Sequence, residues 1–227
     1  MQDKREIFFR CGSIVLEGML ETPSSTNHRL PAAVICHPHP LYGGNMHNHV
    51  VRIVEKELLS RDMICLRFNF RGTGRSEGSY GNGIDELEDV RAALDFLESL
   101  NRVNPEKILV AGYSFGCWVG FRAAAADARP TALIGISPPV NEYDFGFLRN
   151  EKRPKLLVAG DRDFVCSVDR FEQMLARIPE PKRSKIFRGA DHFSIGDHEE
   201  MPREINAFLD DLFQCAFKEV RLGGPSL

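Results

Sequence analysis

Short apolar runs of β-forming residues alternate with longer segments of helical period along nearly the whole chain. That alternation restricts the fold more than any other feature of the sequence. The runs are Ala32–Cys36, Ile64–Phe68, Lys107–Ala111, Ala132–Ile136, Lys155–Ala159 and Lys185–Phe187. Helices are predicted among and after them at about 50–61, 84–100, 117–126, 168–178 and 202–218. In the second of these, Leu87, Val90, Ala93, Leu94 and Leu97 fall on one helical face. Strands this apolar are buried on both sides, which requires helices on each face of a mostly parallel sheet. Ile7–Phe9 and Ile14–Leu20 flank a turn at Cys11-Gly12-Ser13 and read as an antiparallel hairpin extending one edge. The expected fold class is therefore α/β, a mostly parallel sheet with helices on both faces and an N-terminal hairpin.

Composition narrows the function. With 227 residues, 43% of them hydrophobic, the chain can bury a large core without disulfides or metal. No linker, repeat or low-complexity stretch divides it, so residues 1–227 are expected to form one domain with a flexible tail from about 220. A net charge of −3, from 29 basic and 32 acidic residues scattered throughout, lacks the basic footprint of a nucleic-acid binder. No apolar run approaches the ~20 residues that span a bilayer, and Met1–Glu6 are too polar to lead a secretory signal. The six cysteines lie at least 25 residues apart, several of them inside apolar stretches. They read as small buried hydrophobes in a reducing compartment, which places the protein in the cytoplasm.

Open α/β sheets bind ligands beyond the carboxyl ends of their strands. The loops there carry His37-Pro38-His39-Pro40, Arg71–Ser76, Gly112-Tyr113-Ser114-Phe115-Gly116, Gly160–Asp163 and Gly189–His192. The third is a GxSxG pattern, and three fixed letters in five arise by chance in many chains. Here a strand leads in and a helix leads out, the setting in which a serine is held in strained geometry with its hydroxyl presented. Ser114 is thus the candidate nucleophile. A hydroxyl needs a base, and the base needs an orienting group. Downstream, in the order Ser…Asp…His, stand Asp163 and His192. His192 would take the serine proton and return it to the leaving group; Asp163 would fix the imidazole tautomer. Asp161 is the rival acid, better suited to shaping the Gly160 turn. Asp191 reads as a loop cap, and His198 as lying at the lip of the last helix.

These five loops, in this order, resemble the α/β-hydrolase superfamily over nearly the whole chain. Within it they are similar to the small, lidless, dienelactone-hydrolase-like hydrolases. The resemblance rests on His37–Gly44, Arg67–Gly78, the Gly112–Gly116 elbow, Gly160–Asp163 and Asp191-His192-Phe193. It implies an oxyanion hole made by two backbone N–H groups, one from Phe115. The other would come from the His37–Gly44 segment, which departs from the HGGG form of many esterases. Pro38 and Pro40 have no N–H to give, so His39, Leu41 or a residue just beyond is expected to supply it, His39 first by its position after His37-Pro38 and Leu41 close behind. The about eighteen residues 137–154 are too few for a helical lid, so the serine is expected at an open, exposed site. Tyr42, Phe145, Phe147 and Phe164 are candidates for an apolar wall, or equally for packing.

Two motifs point elsewhere. His37, His39, His47 and His49 lie within thirteen residues and suggest zinc, but the oxyanion loop accounts for the first two and no HExxH completes a site. No metal and no cofactor are expected. Gly72–Gly78 resembles a dinucleotide fingerprint but has Glu77 where glycine is required. It also matches the RGxGxS stretch of α/β-hydrolases, with Asn69 where aspartate is frequent, so Arg71 and Ser76 read as scaffolding.

The expected activity is that of a serine hydrolase cleaving an ester or thioester through an acyl-serine. A peptidase or acyltransferase using the same three residues is the alternative, with a non-catalytic binding protein behind it. The expected partner is a small-molecule ester or thioester, with no nucleic acid and no membrane; a homodimer stands open.

Overall fold

In a computed structural model of the chain, residues 3–24 and 28–222 are described, with side chains as far as 213. Eight strands form one sheet in the order β1-β2-β4-β3-β5-β6-β7-β8. The hairpin strands β1 (Asp3–Cys11) and β2 (Ile14–Thr22) pair antiparallel, and β2 lies antiparallel against β4 (Ile64–Phe68). From β4 onward every pairing is parallel, through β3 (Leu30–Cys36), β5 (Val103–Tyr113), β6 (Pro130–Ile136), β7 (Lys155–Gly160) and β8 (Lys182–Phe187). Strand β5 starts earlier than its apolar run because Val103 pairs with Leu30 ahead of Pro105. Pro105 has no N–H for the ladder, and the register shifts between Leu30 and Ala32 to pass it.

Alternation along the strands explains why the runs are apolar throughout. Ala32, Val34 and Cys36 of β3 face one core, together with Val90 and Leu94 of α2 (Glu86–Ser99) and Phe121 of α3 (Phe115–Ala125). Phe171 of α4 (Val168–Arg177) joins the same side. Ala33 and Ile35 face the other core, with Val51 and Leu58 of α1 (His49–Leu59) and Ile205 and Leu209 of α5 (Glu200–Leu222). Both faces are thus sealed by helices, the arrangement that continuous apolar strands demand.

Among the described residues two cationic side chains lie wholly inside. Arg67 of β4 is 0% exposed, its Nε 2.6 Å from Glu55 of α1, and Lys155 at the start of β7 donates to the carbonyls of Pro179 and Pro181. Lys155 is tolerated because carbonyls take up its donors; Arg67 bonds Glu55 and the Met46 carbonyl, while its Nη2 makes no hydrogen bond and lies 3.6 Å from the Glu21 carboxylate. Helix α5 runs to Leu222, past the predicted end at 218, so part of the expected tail is helical; Gly223–Leu227 lie outside the described residues. Among the described residues no helix is long and apolar enough to cross a membrane.

Candidate active site

The carboxyl ends of β3, β5, β7 and β8 open onto one edge, and the chemistry-bearing loops meet there. Ser114 follows β5 directly and has φ 54° and ψ −123°, left-handed backbone that costs a non-glycine residue about 1–3 kcal/mol. The surroundings over-determine it. Its N–H donates to the Ile136 carbonyl at 2.9 Å, and its own carbonyl accepts from Cys117 at the start of α3. A Cβ on Gly112 would lie 2.4 Å from the Gly116 carbonyl oxygen, and one on Gly116 would lie 2.3 Å from that of Cys36. The glycines of the GxSxG pattern are therefore required by close backbone approach.

The Ser114 Oγ lies 2.9 Å from His192 Nε2, and His192 Nδ1 lies 2.9 and 3.0 Å from the two oxygens of Asp163. These partners place the ring proton on Nδ1, donating to the carboxylate, with Nε2 free to accept from the serine. Asp163 Oδ1 also accepts the N–H groups of Val165 and Cys166, at 2.9 Å each. Burial pushes the Asp163 carboxyl up. The bond from His192, the charge of that ring and the Val165 N–H outweigh it and hold its pKa below the ordinary value. The His192 loop is pinned in turn by the Tyr113 hydroxyl, which donates to the His192 carbonyl at 2.5 Å.

The turn after β3 is internally bonded almost to exhaustion. Leu41 donates its N–H to the His39 ring, Tyr42 and Gly44 donate to the His39 carbonyl, and Gly43 donates to Pro40. Between two prolines, the His39 amide is the one N–H of this turn that the turn itself does not use. Phe115 holds the first N–H of α3, which has no intrahelical carbonyl to meet. The rings of His39 and Phe115 pack at 4.7 Å, bracing the two residues against each other.

Residues 34–155 match the alpha/beta hydrolase family. The chain belongs to it. Over 212 residues it is 37% identical to the uncharacterized protein RP471 of Rickettsia prowazekii, which spans 90% of this chain and 88% of that one. A putative alpha/beta hydrolase of Agrobacterium tumefaciens superposes with a TM-score of 0.85 at 32% identity, covering 92% of this chain and 97% of the other. A lidless serine hydrolase of Xanthomonas campestris superposes at 0.76 with 26% identity, covering 99% and 97%.

In this α/β hydrolase the segment between β6 and β7 forms only a short 3₁₀ turn, Gly146–Asn150, and no lid. Even so, Ser114 is 7% exposed, not at the open surface that a lidless chain suggests. It lies at the floor of a cavity of about 640 Å³ whose walls are made by loops. Tyr42 and Phe164 line it, and so do Pro139, Tyr143, Tyr113 and Phe193, which the sequence did not mark for this role. The loop after β6, which also leaves a carboxyl end, would have yielded Pro139 and Tyr143 had it been weighed with the others.

Phe145 is a correction. It is 6% exposed, packs on Phe147 at 5.7 Å within the core, and borders a different cavity, because the chain turns inward after Tyr143. Leu41 is another: its N–H is spent on the His39 ring and its side chain is 67% exposed, away from the cavity. Asp161 accepts from the Gly189 N–H at 2.6 Å, tying two loops together, and Asp191 caps Phe193 and Ser194. His198 precedes α5 and stacks on Phe187.

The four clustered histidines are used separately. His37 is fully buried, its Nε2 accepting from Phe70 and its Nδ1–H donating to Pro38, and burial pushes its pKa down to about 4. The His39 ring has Nε2 3.1 Å from the Tyr80 hydroxyl; His47 contacts Arg67, and His49 pairs with Asp197. Among the described residues no group of three or more His, Cys, Asp or Glu is placed to hold a metal. Arg71 binds Asp89, Ser76 bridges Asn69 and Glu17, and Asn69 binds Glu17 and Met46. That loop joins the hairpin to the sheet.

Proposed function

We propose that this α/β hydrolase is a serine hydrolase that cleaves the ester or thioester of a small acyl group through an acyl-Ser114 intermediate. The continuous hydrogen-bonded line from Ser114 Oγ through His192 to Asp163 carries the reading. His192 Nε2 removes the hydroxyl proton as Oγ attacks the carbonyl carbon. Asp163 holds the ring in the tautomer that can do so and stabilises the imidazolium formed. The N–H groups of Phe115 and His39 face the developing oxyanion, each such donor being worth about 3–4 kcal/mol. The imidazolium then protonates the departing alkoxide or thiolate as its bond to carbon breaks. Water, deprotonated by the same ring, releases the acid and regenerates the serine.

An acyltransferase would share the first half and deliver the acyl group to another nucleophile. The polyketide transferase ATR5 of Stachybotrys chlorohalonatus is 38% identical over 81 residues, but the match covers only 27% of that protein. With no lid over the cavity, water reaches the acyl-enzyme, which favours hydrolysis. A cytoplasmic location belongs to the same proposal, since Cys11, Cys36, Cys65, Cys117 and Cys166 are buried as free thiols. Labelling by a fluorophosphonate probe tests the nucleophile: the wild-type chain is expected to be labelled and Ser114→Ala is not. An unlabelled folded wild type overturns the reading.

A further inference from the structure

A second cavity, of about 300 Å³, lies behind the loop that walls the first, and Tyr143 lines both. Its floor is apolar, built from Phe145, Met174 and Ile178, which are 6, 9 and 4% exposed. Its rim is cationic. Arg170 and Arg177 stand seven residues apart on one face of α4, and Arg149 comes from the 3₁₀ turn opposite.

Several arginines of this chain are neutralised by a neighbouring carboxylate. Arg67 is paired with Glu55, Arg71 with Asp89, Arg129 with Asp127 and Arg153 with Glu151. Around this cavity no carboxylate of the described residues lies within ion-pair distance of Arg149, Arg170 or Arg177. Arg170 reaches only the Asn141 carbonyl, at 3.2 Å. The one acid on the rim, Asp144, accepts from the Gly146 N–H at 2.8 Å. The three guanidinium groups are exposed at the rim of one hollow with an apolar floor, and their planar donor forks suit a phosphate.

We infer that this second cavity is an anion-binding site for a phosphate group, carried either at the far end of the substrate's leaving group or by a separate small molecule. The site itself is independent of the acyl chemistry; only its assignment to the leaving group rests on the serine-hydrolase reading.

Trp118, the only tryptophan of the chain, stacks on Tyr143 at 4.1 Å and so reports on both cavities. Inorganic pyrophosphate titrated against Trp118 fluorescence is expected to bind saturably, more weakly at high salt. Replacing all three arginines by glutamine is expected to weaken binding about tenfold or more. Asp144→Asn, which keeps the Gly146 contact while removing the charge, is expected to tighten it. A parallel assay compares hydrolysis of butyryl-coenzyme A with that of butyryl-N-acetylcysteamine, the same thioester without phosphates. A preference for the first that disappears in the triple variant assigns the phosphate to the leaving group. Pyrophosphate binding without such a preference assigns it to a separate molecule. Neither binding nor preference in the folded wild type overturns the site. If neither thioester nor any simple ester is hydrolysed while pyrophosphate still binds, the serine-hydrolase reading fails and the anion site stands.

Discussion

Two histidines stand at the ends of strands of one sheet, both nearly excluded from water, and they are built for opposite ends. His37 follows β3 with both ring nitrogens bound to backbone, to the Phe70 N–H and the Pro38 carbonyl. His192 follows β8 with both nitrogens bound to side chains, the Asp163 carboxylate and the Ser114 hydroxyl. Backbone partners cannot change protonation or move away, so the His37 ring is a fixed brace between two loops. A carboxylate stabilises the imidazolium and a hydroxyl can give up a proton, so the His192 ring can cycle. Burial alone does not make a histidine reactive; the chemistry of what its two nitrogens touch does.

Removing each ring is the most severe way to break that contrast. His192→Ala is expected to lower kcat/KM for a p-nitrophenyl ester on the order of 10⁴–10⁶-fold with little change in thermal stability. A loss below about a hundredfold would put His192 in the same structural class as His37. Next in size is Asp163→Asn, which keeps an acceptor for Val165 and Cys166 but withdraws the charge facing His192. A fall of about 10³–10⁴-fold in kcat is expected, with the fold intact by circular dichroism.

For His37→Ala the order of effects reverses. Leaving the Phe70 N–H unpaired in the core is expected to destabilise the chain by about 2–4 kcal/mol in urea unfolding, while kcat/KM of the folded fraction falls no more than about tenfold. The pH dependence sharpens this. Folded, the buried ring stays neutral down to about pH 4; unfolded, it takes a proton near its ordinary 6.5. Between those values the unfolded chain binds more protons, so stability rises with pH and is lost as pH falls through the window. The full effect is on the order of 3 kcal/mol. That slope is expected to be absent from His37→Ala.

Which histidine does which was partly legible beforehand, for physical reasons that differ by residue. Ser114, Asp163 and His192 could be gathered at one edge because alternating strands and helices send every strand's carboxyl end the same way. The GxSxG glycines could be read because backbone contact as close as 2.3 Å leaves room for nothing else. The choice between His39 and Leu41 could not be made, since it depends on which N–H groups the turn consumes internally. Phe145 was misplaced because the 137–154 segment has no period from which to tell inside from outside. Tyr80, whose hydroxyl meets the His39 ring, lies in a loop between β4 and α2 with nothing in the sequence to mark it.

His39 falls between the two extremes, and Tyr80→Phe decides its side. Its Nδ1 accepts from the Leu41 backbone, as in a brace, which leaves the ring proton on Nε2 facing the Tyr80 hydroxyl, a side chain. Burial holds the ring below its ordinary pKa, so it stays a neutral strut beneath the amide proposed to bind the oxyanion. Phenylalanine keeps the ring packing at 5.0 Å and removes only the oxygen. The Leu41 bond still fixes the tautomer, so the expected loss is small, about two- to fivefold in kcat with KM unchanged, and about 1 kcal/mol of stability. A kcat effect without a KM effect means that Tyr80 acts through the position of the His39 amide in the transition state. A change confined to stability would place His39 beside His37, as a brace whose side chain the reaction does not feel.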